Sequence, residues 1–222
     1  SASSVKTDNI IIIDDGFGIN IDDVKIIRHS QNKGFAAAIN TGLRESKYDV
    51  KVIINSDVFL KPDCIGELIK GLEHADMVGA QLLYSNSTVQ HAGITYCGDY
   101  YFYHRHWRSQ PVIEEPLYCP VTGALFAITA DTINKIGYFD ENYFMSYEDI
   151  DYCFRLIKAG FKVLYWPYAK AIHLEGATRG RAEEEKIRIN KQCYKLELAS
   201  RDYFKSKYSE QEIINLCKQL AF

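Results

Sequence analysis

No stretch of the 222 residues reaches the roughly 18 consecutive apolar side chains that a membrane-crossing helix needs. The opening SASSVKTDN lacks the basic-then-apolar order of a secretory leader, which suggests a cytoplasmic protein. The six cysteines (Cys64, Cys97, Cys119, Cys153, Cys193 and Cys217) include no C-x-x-C pair. They read as free thiols in a reducing compartment rather than as disulfides or zinc ligands. A basic excess is also lacking: 26 Lys and Arg stand against 29 Asp and Glu, which argues against a general nucleic-acid binder. No G-x-G-x-x-G follows the first apolar strand, which removes the dinucleotide-dependent dehydrogenases. No early glycine-rich loop carries Arg or Lys for a triphosphate, which weighs against a nucleotidyltransferase. There is no internal repeat, low-complexity tract or linker.

What is present is ordinary globular composition, 47% apolar and 25% charged, enough for one large domain with a full core. Aromatic content is high at 13%, with 16 tyrosines, which suits ring stacking on a ligand as well as a core. Short apolar runs read as buried strands: NIIIIDDG, VKII, VKVIINSDVFL, MVGAQLLYS, LYCPVTGALFAITA, FKVLYWP and AKAIHLE. Between them lie helical segments: NKGFAAAINTGLRES with Asn32 as expected N-cap, PDCIGELIKGLE with Pro62 in its first turn, and DTINKIGYFDE. The tail from Arg181 is charged and helical, with a split expected near Ser209. Alternating strands and helices predict an α/β fold around a mostly parallel sheet flanked by helices. The expected organisation is a main domain over 1–180 and a helical extension over 181–222 packed on it.

Acids cluster where such a fold binds ligands. Asp14 and Asp15 close one apolar run, and Asn55 and Asp57 close another; carboxyl ends of strands line the crevice of open α/β sheets. A single Asp there is ordinarily a turn residue or a cap. Asp57 suits Mg²⁺ or Mn²⁺ shared with phosphate oxygens, and His173, in AIHLEG at the end of a later strand, could add an imidazole. FMSYEDIDYCFRLIKAGFKV places Glu148, Asp149 and Asp151 within four positions. SYED fits a capping box with Ser146 as N-cap, and the acids suit a helix N-terminus, so one or two of them need no chemistry. Arg155, four residues after Asp151, reads as an i,i+4 partner.

The ordered set IIIIDDG, NKGFAAAIN, VIINSDV, VQHAG, VTGALFAIT, IGYFDENYFMSYEDIDYCFRLIKAGFKV and AIHLEG resembles family-2-type glycosyltransferases of the GT-A fold, over about residues 9 to 180. It is most similar to the branch with rhamnosyl- and other polysaccharide-building transferases. The resemblance implies transfer of a hexose or deoxyhexose from a UDP- or dTDP-sugar to a hydroxyl of a glycan acceptor, with Mn²⁺ or Mg²⁺ and with inversion. It implies that Asp14, or its neighbour Asp15, meets the base or ribose, and that Gly34, Ala37 and Asn40 lie beside the nucleotide. Asn55, Ser56 and Asp57 fall on the DxD-like motif and Gly123 on a donor-site glycine. Asp57 and His173 fall on metal-side positions. Asp149 falls on the general base of the "ED" pair, with Glu148 beside it. Asn55 departs from the pattern by replacing the first acid of a full DxD. The family's usual opening strand and helix are not seen ahead of IIIIDDG, so part of the nucleotide pocket is expected to be built differently. The aromatic segment TYCGDYYFYHRHWRSQPVIEEP reads either as a wall of the donor or acceptor site or as an edge hairpin or oligomer contact. An inactive sugar- or nucleotide-binding module of a larger polypeptide is the reading from a different class.

Overall fold

The computed structural model describes residues 9–107, 109, 115–174 and 183–220. In chain order the elements begin with β1 (Ile11–Asp14), β2 (Lys25–Arg28), α1 (Phe35–Glu45), β3 (Val50–Ile54), β4 (Val58–Leu60), α2 (Cys64–Gly71) and β5 (Met77–Leu83). There follow β6 (Val89–His91), β7 (Ile94–Gly98), β8 (Tyr101–His104), β9 (Leu117–Tyr118), β10 (Leu125–Thr129) and α3 (Ala130–Ile136). The last are α4 (Glu148–Lys158), β11 (Val163–His173), α5 (Glu183–Lys207) and α6 (Glu210–Gln219).

β5 is buried along its whole length and sits mid-sheet in the order β3-β10-β5-β11-β4, with β6 paired to β5 and β9 to β11. Alternate side chains feed two cores, as the period-2 pleat requires. Val78, Ala80 and Leu82 of β5 and Leu125 and Ala127 of β10 face Leu68 and Cys64 of α2. Met77, Phe126 and Ile128 face the other layer with α1, α4 and the C-terminal helices. β1 and β2 form a separate parallel pair against α1.

The expected mostly parallel sheet is corrected to a mixed one. β11 runs parallel to β5, but β10 is antiparallel to both β3 and β5, and β4, β6 and β9 also pair antiparallel. A continuous apolar run reports burial on both faces and carries no sign of direction. Three boundaries also differ. The run 50–60 is broken by a turn after Ile54, because Asn55 O takes the amide of Val58. The two strands expected at 161–167 and 169–175 are one, β11, which absorbs Pro167 where its register shifts between Trp166 and Lys170. Pro62 precedes α2 rather than opening it, since Asp63 is the N-cap.

The tail divides where expected: Ser209 caps α6 by accepting from the Glu212 amide. Its helices complete the core. Phe204, Tyr208, Ile213 and Leu216 are buried, and Phe204 packs with Phe102, Tyr147 and Phe154. The expected boundary at 180/181 lies outside the described residues. All six cysteines are free thiols. Among the described residues no helix is long and apolar enough to cross a membrane.

Candidate active site

The C-terminal ends of β3 and β11 and the start of β10 lie at one edge of the sheet, since Ile54 pairs with Leu125 and His173 with Val58. The turn Asn55–Asp57 lies there, with Ser56 exposed and Asp57 half-buried. His173 Nε2 stands 3.2 Å from Asp57 Oδ1, and the Leu174 amide donates to Asp57 O at 2.9 Å. On its far side the His173 ring meets Gln90 Oε1 at 2.6 Å through Nδ1. A carboxamide oxygen only accepts, so Nδ1 carries a proton and Nε2 is the ring atom turned toward Asp57. This is the arrangement a metal-binding histidine requires. An octahedral ion with ligands at about 2.1 Å separates neighbouring ligand atoms by about 3 Å. The Asp57–His173 spacing fits such a pair. Among the described residues no three His, Cys, Asp or Glu side chains gather around one point, so the remaining ligands would be phosphate oxygens and water.

The acid end is tied to this turn through one loop. The Asn55 amide donates to Ala124 O at 2.9 Å, and the neighbouring Gly123 amide donates to Asp149 Oδ2 at 3.0 Å. The structure thus brings Asn55, Asp57, Gly123, Asp149 and His173 together. A Cβ at Gly123 would stand 2.7 Å from the Phe35 ring and 3.5 Å from Asp149 Cβ, so this close approach needs glycine.

The three clustered acids divide their roles. Asp149 is half-buried, its Oδ1 held by the Ile150 amide. Asp151 is fully buried and binds Arg155 Nε at 3.0 Å, Lys207 Nζ at 2.5 Å and the hydroxyls of Tyr208 and Tyr143. It anchors the C-terminal helices. Glu148 is 6% exposed and its Oε2 has no hydrogen-bond partner. Burial first, and the adjacent Asp149 charge second, push its pKa up to about 8. The expected capping box does not form. Ser146 and Tyr147 take left-handed φ of 67° and 69°, and Tyr147 is the N-cap, without a side-chain bond. Two such residues in succession cost roughly 1–3 kcal/mol each. The surroundings hold them there: Ser200 Oγ donates to Met145 O, and Tyr147 OH donates to Tyr100 O.

A raised carboxyl pKa sets a sign for stability. Between its ordinary value near 4.5 and about 8, folded Glu148 holds a proton that the unfolded chain has lost. Stability is therefore complete at the acid end of that window and falls as pH rises through it. Glu148→Gln should flatten the decline in Tm between pH 5 and 8; a wild-type decline that persists unchanged in Glu148→Gln would refute this assignment.

The nucleotide-side residues are placed unevenly. Asp14 is buried and receives the amides of Phe17, Gly18 and Ile19 and the Arg28 Nε. The Arg28 guanidinium, helped by these amides, holds its pKa below the usual carboxylate range. Asp15 accepts from the amides of Lys33 and Gly34 and from His29 Nδ1 at 2.6 Å, so it anchors the entry to α1. Asn32 accepts from Gly34 N without being the expected N-cap, which is Gly34 itself, at φ 90° with Phe144 O 2.5 Å from where a Cβ would stand. Ala37 packs inward, and Asn40, fully buried, exchanges bonds with Phe139 and donates to Glu141. Its side chain braces the turn before Asp149 rather than lining the edge.

The aromatic segment contains the hairpin β7–β8, with Phe102 facing the core and Tyr101, Tyr103 and Trp107 exposed. His104 falls in the aromatic segment read as a candidate wall of the site, whereas Gln90 and His91 carried no individual expectation; they lie in VQHAG, whose first three residues form β6, the strand that pairs β5.

A mixed α/β sheet flanked by helices is the GT-A-like fold, and solved structures share it. GalNAc-T7, solved with UDP, GalNAc and Mn²⁺, superposes with a TM-score of 0.61 at 16% identity, covering 82% of this chain and 41% of that one. The mannosyltransferase PcManGT of Pyrobaculum calidifontis, solved with GDP-Man and Mn²⁺, gives 0.51 at 13%, covering 97% and 72%. The family described as Glycosyltransferase like family 2 matches residues 12–191, and the chain belongs to it. A pre-mycofactocin glycosyltransferase of Mycobacterium tuberculosis is 28% identical over 184 residues, covering 77% of this chain and 38% of its own length. The chain spans between 12% and 49% of the length of the curated relatives it matches.

Proposed function

We propose that this chain transfers a glycosyl group from a nucleoside diphosphate sugar to an acceptor hydroxyl, with Asp149 as general base. The observation that carries this reading is the tie from the Asp57–His173 pair, through Asn55 and the Gly123–Ala124 loop, to Asp149. Asp57 Oδ1 and His173 Nε2 would hold a divalent cation, Mn²⁺ or Mg²⁺, whose chemistry is to neutralise charge on the leaving diphosphate. Gln90 keeps the His173 ring turned for that task. Asp149, oriented by the Gly123 amide, takes the proton of the attacking hydroxyl. Glu148, buried beside it, keeps water from the base. A hydroxyl attacking from the side opposite the leaving group gives inversion.

The donor side of the proposal is a UDP- or dTDP-linked hexose or deoxyhexose, with Asp15, Gly34 and the backbone around Asp14 at the nucleotide end. The acceptor is a glycan hydroxyl. Support comes from family membership and from neighbours of the same fold solved with UDP or GDP-Man together with Mn²⁺. Thermal shift across UDP-, GDP- and dTDP-sugars tests it, because a ligand that binds only the folded state raises Tm. A uridine or thymidine diphosphate sugar should raise Tm more with Mn²⁺ than without. Asp57→Ala should keep most of the nucleotide shift and lose the metal increment. If no nucleotide shifts the wild type, the reading fails.

A further inference from the structure

Three histidines approach the metal end, and only His173 has been given a task. His91 is fully buried at the end of β6. Its Nε2 accepts from the amides of Gly93 at 3.3 Å and Thr122 at 3.4 Å. Backbone amides only donate, so His91 carries its proton on Nδ1. Burial, and then the neighbouring His104 and His173, hold its pKa well below the ordinary imidazole value, which keeps it neutral. Its Nδ1 lies 2.6 Å from His104 Nδ1. The proton is on the His91 side of that bond, so His104 accepts there and carries its own proton on Nε2.

His104 is exposed and well anchored. It pairs with Ile94 at the root of the hairpin, the Arg105 amide donates to Gly93 O, and the Ile94 amide donates to Pro120 O. Gly93, at φ 91° with Cys119 Sγ 2.4 Å from a would-be Cβ, fixes the approach of hairpin and loop. His104 lines a cavity of about 50 Å³ with Leu82, Gln90, Thr122 and His173. His173 borders that cavity, as does Thr122, the neighbour of the Gly123 that holds Asp149.

We infer that His104 presents an Nε2–H donor to a diphosphate oxygen of the nucleotide, with His91 acting as the positioning residue that turns its ring. The inference rests on the proposed nucleotide-sugar reading and adds to it a second contact on the leaving group, supplied by the aromatic hairpin. Because backbone amides orient His91 and His91 orients His104, the donor is preorganised for the charge that develops as the diphosphate departs.

The test compares wild type, His104→Asn and His104→Phe by calorimetric titration with UDP, dTDP and GDP and with their monophosphates, in Mn²⁺. Asn keeps an acceptor for His91 Nδ1 and lacks reach at the Nε2 position, so it separates the contact from the fold. His104→Asn should keep the wild-type Tm and the monophosphate affinity. It should weaken binding of the preferred diphosphate by about 10-fold, the scale of a hydrogen bond to a charged group. His104→Phe should weaken it at least as much. Diphosphate affinity unchanged in His104→Asn, or equal losses for mono- and diphosphate, would overturn the inference while leaving the wider reading intact. A wild type that binds no diphosphate would overturn both.

Discussion

Asp149→Asn should fold, bind donor and metal as the wild type does, and transfer sugar about 10²-fold or more slowly, the scale of losing a general base. Asparagine fills the same volume and keeps an oxygen for the Gly123 amide, so the loop joining acid and metal ends is preserved. What it loses is the bond from the Ile150 amide and the capacity to take a proton. Steady-state transfer measured beside donor affinity separates the two effects. Full activity would remove Asp149 from the mechanism. A loss of donor affinity equal to the loss of rate would make it a binding residue. Glu148, with its raised pKa and unpartnered Oε2, is the alternative base if activity survives in Asp149→Asn and disappears in Glu148→Gln.

Asp151→Ala should instead damage the fold, by about 3 kcal/mol, the lower end of the cost of removing one partner from a buried ion pair. The lower end applies because the partners keep other contacts. Arg155 still donates to Ile136 O and Tyr138 O, and Lys207 still reaches Asp140 at 2.8 Å. The loss falls between α4 and the C-terminal helices, where Lys207 and Tyr208 meet Asp151. Urea denaturation measures it as a lowered midpoint. A loss below about 1 kcal/mol would place Asp151 among weak surface pairs. Donor affinity measured well below the variant's Tm should remain, because Asp151 stands in the core and not at the sheet edge.

The buried strands β5 and β10, the split of the tail at Ser209 and the placing of Asp57 and His173 at strand ends were all legible in the sequence. Each rests on a local apolar run, turn or cap, which a few neighbouring residues encode. Asn40 and Asp14 show where that legibility stops. Both occupy family positions, yet their side chains are spent on internal bonds with Phe139 and with Phe17, Gly18, Ile19 and Arg28. The capping-box pattern at Ser146 likewise matched a local rule that the packing of α5 overrides, through Ser200 and Phe204.

By itself the sequence determined the α/β class, the family and the acids that stand at strand ends, because periodicity, turn chemistry and motif order are properties of short segments. Only the tertiary structure decided strand direction, which of Glu148, Asp149 and Asp151 faces the loop at Gly123, and that His91 and His104 share a proton site. Those outcomes depend on contacts between residues distant in the chain, such as Asp151 with Lys207 and Asp149 with Gly123. The burial and bonding they create fix each carboxyl and imidazole in a way no local pattern specifies.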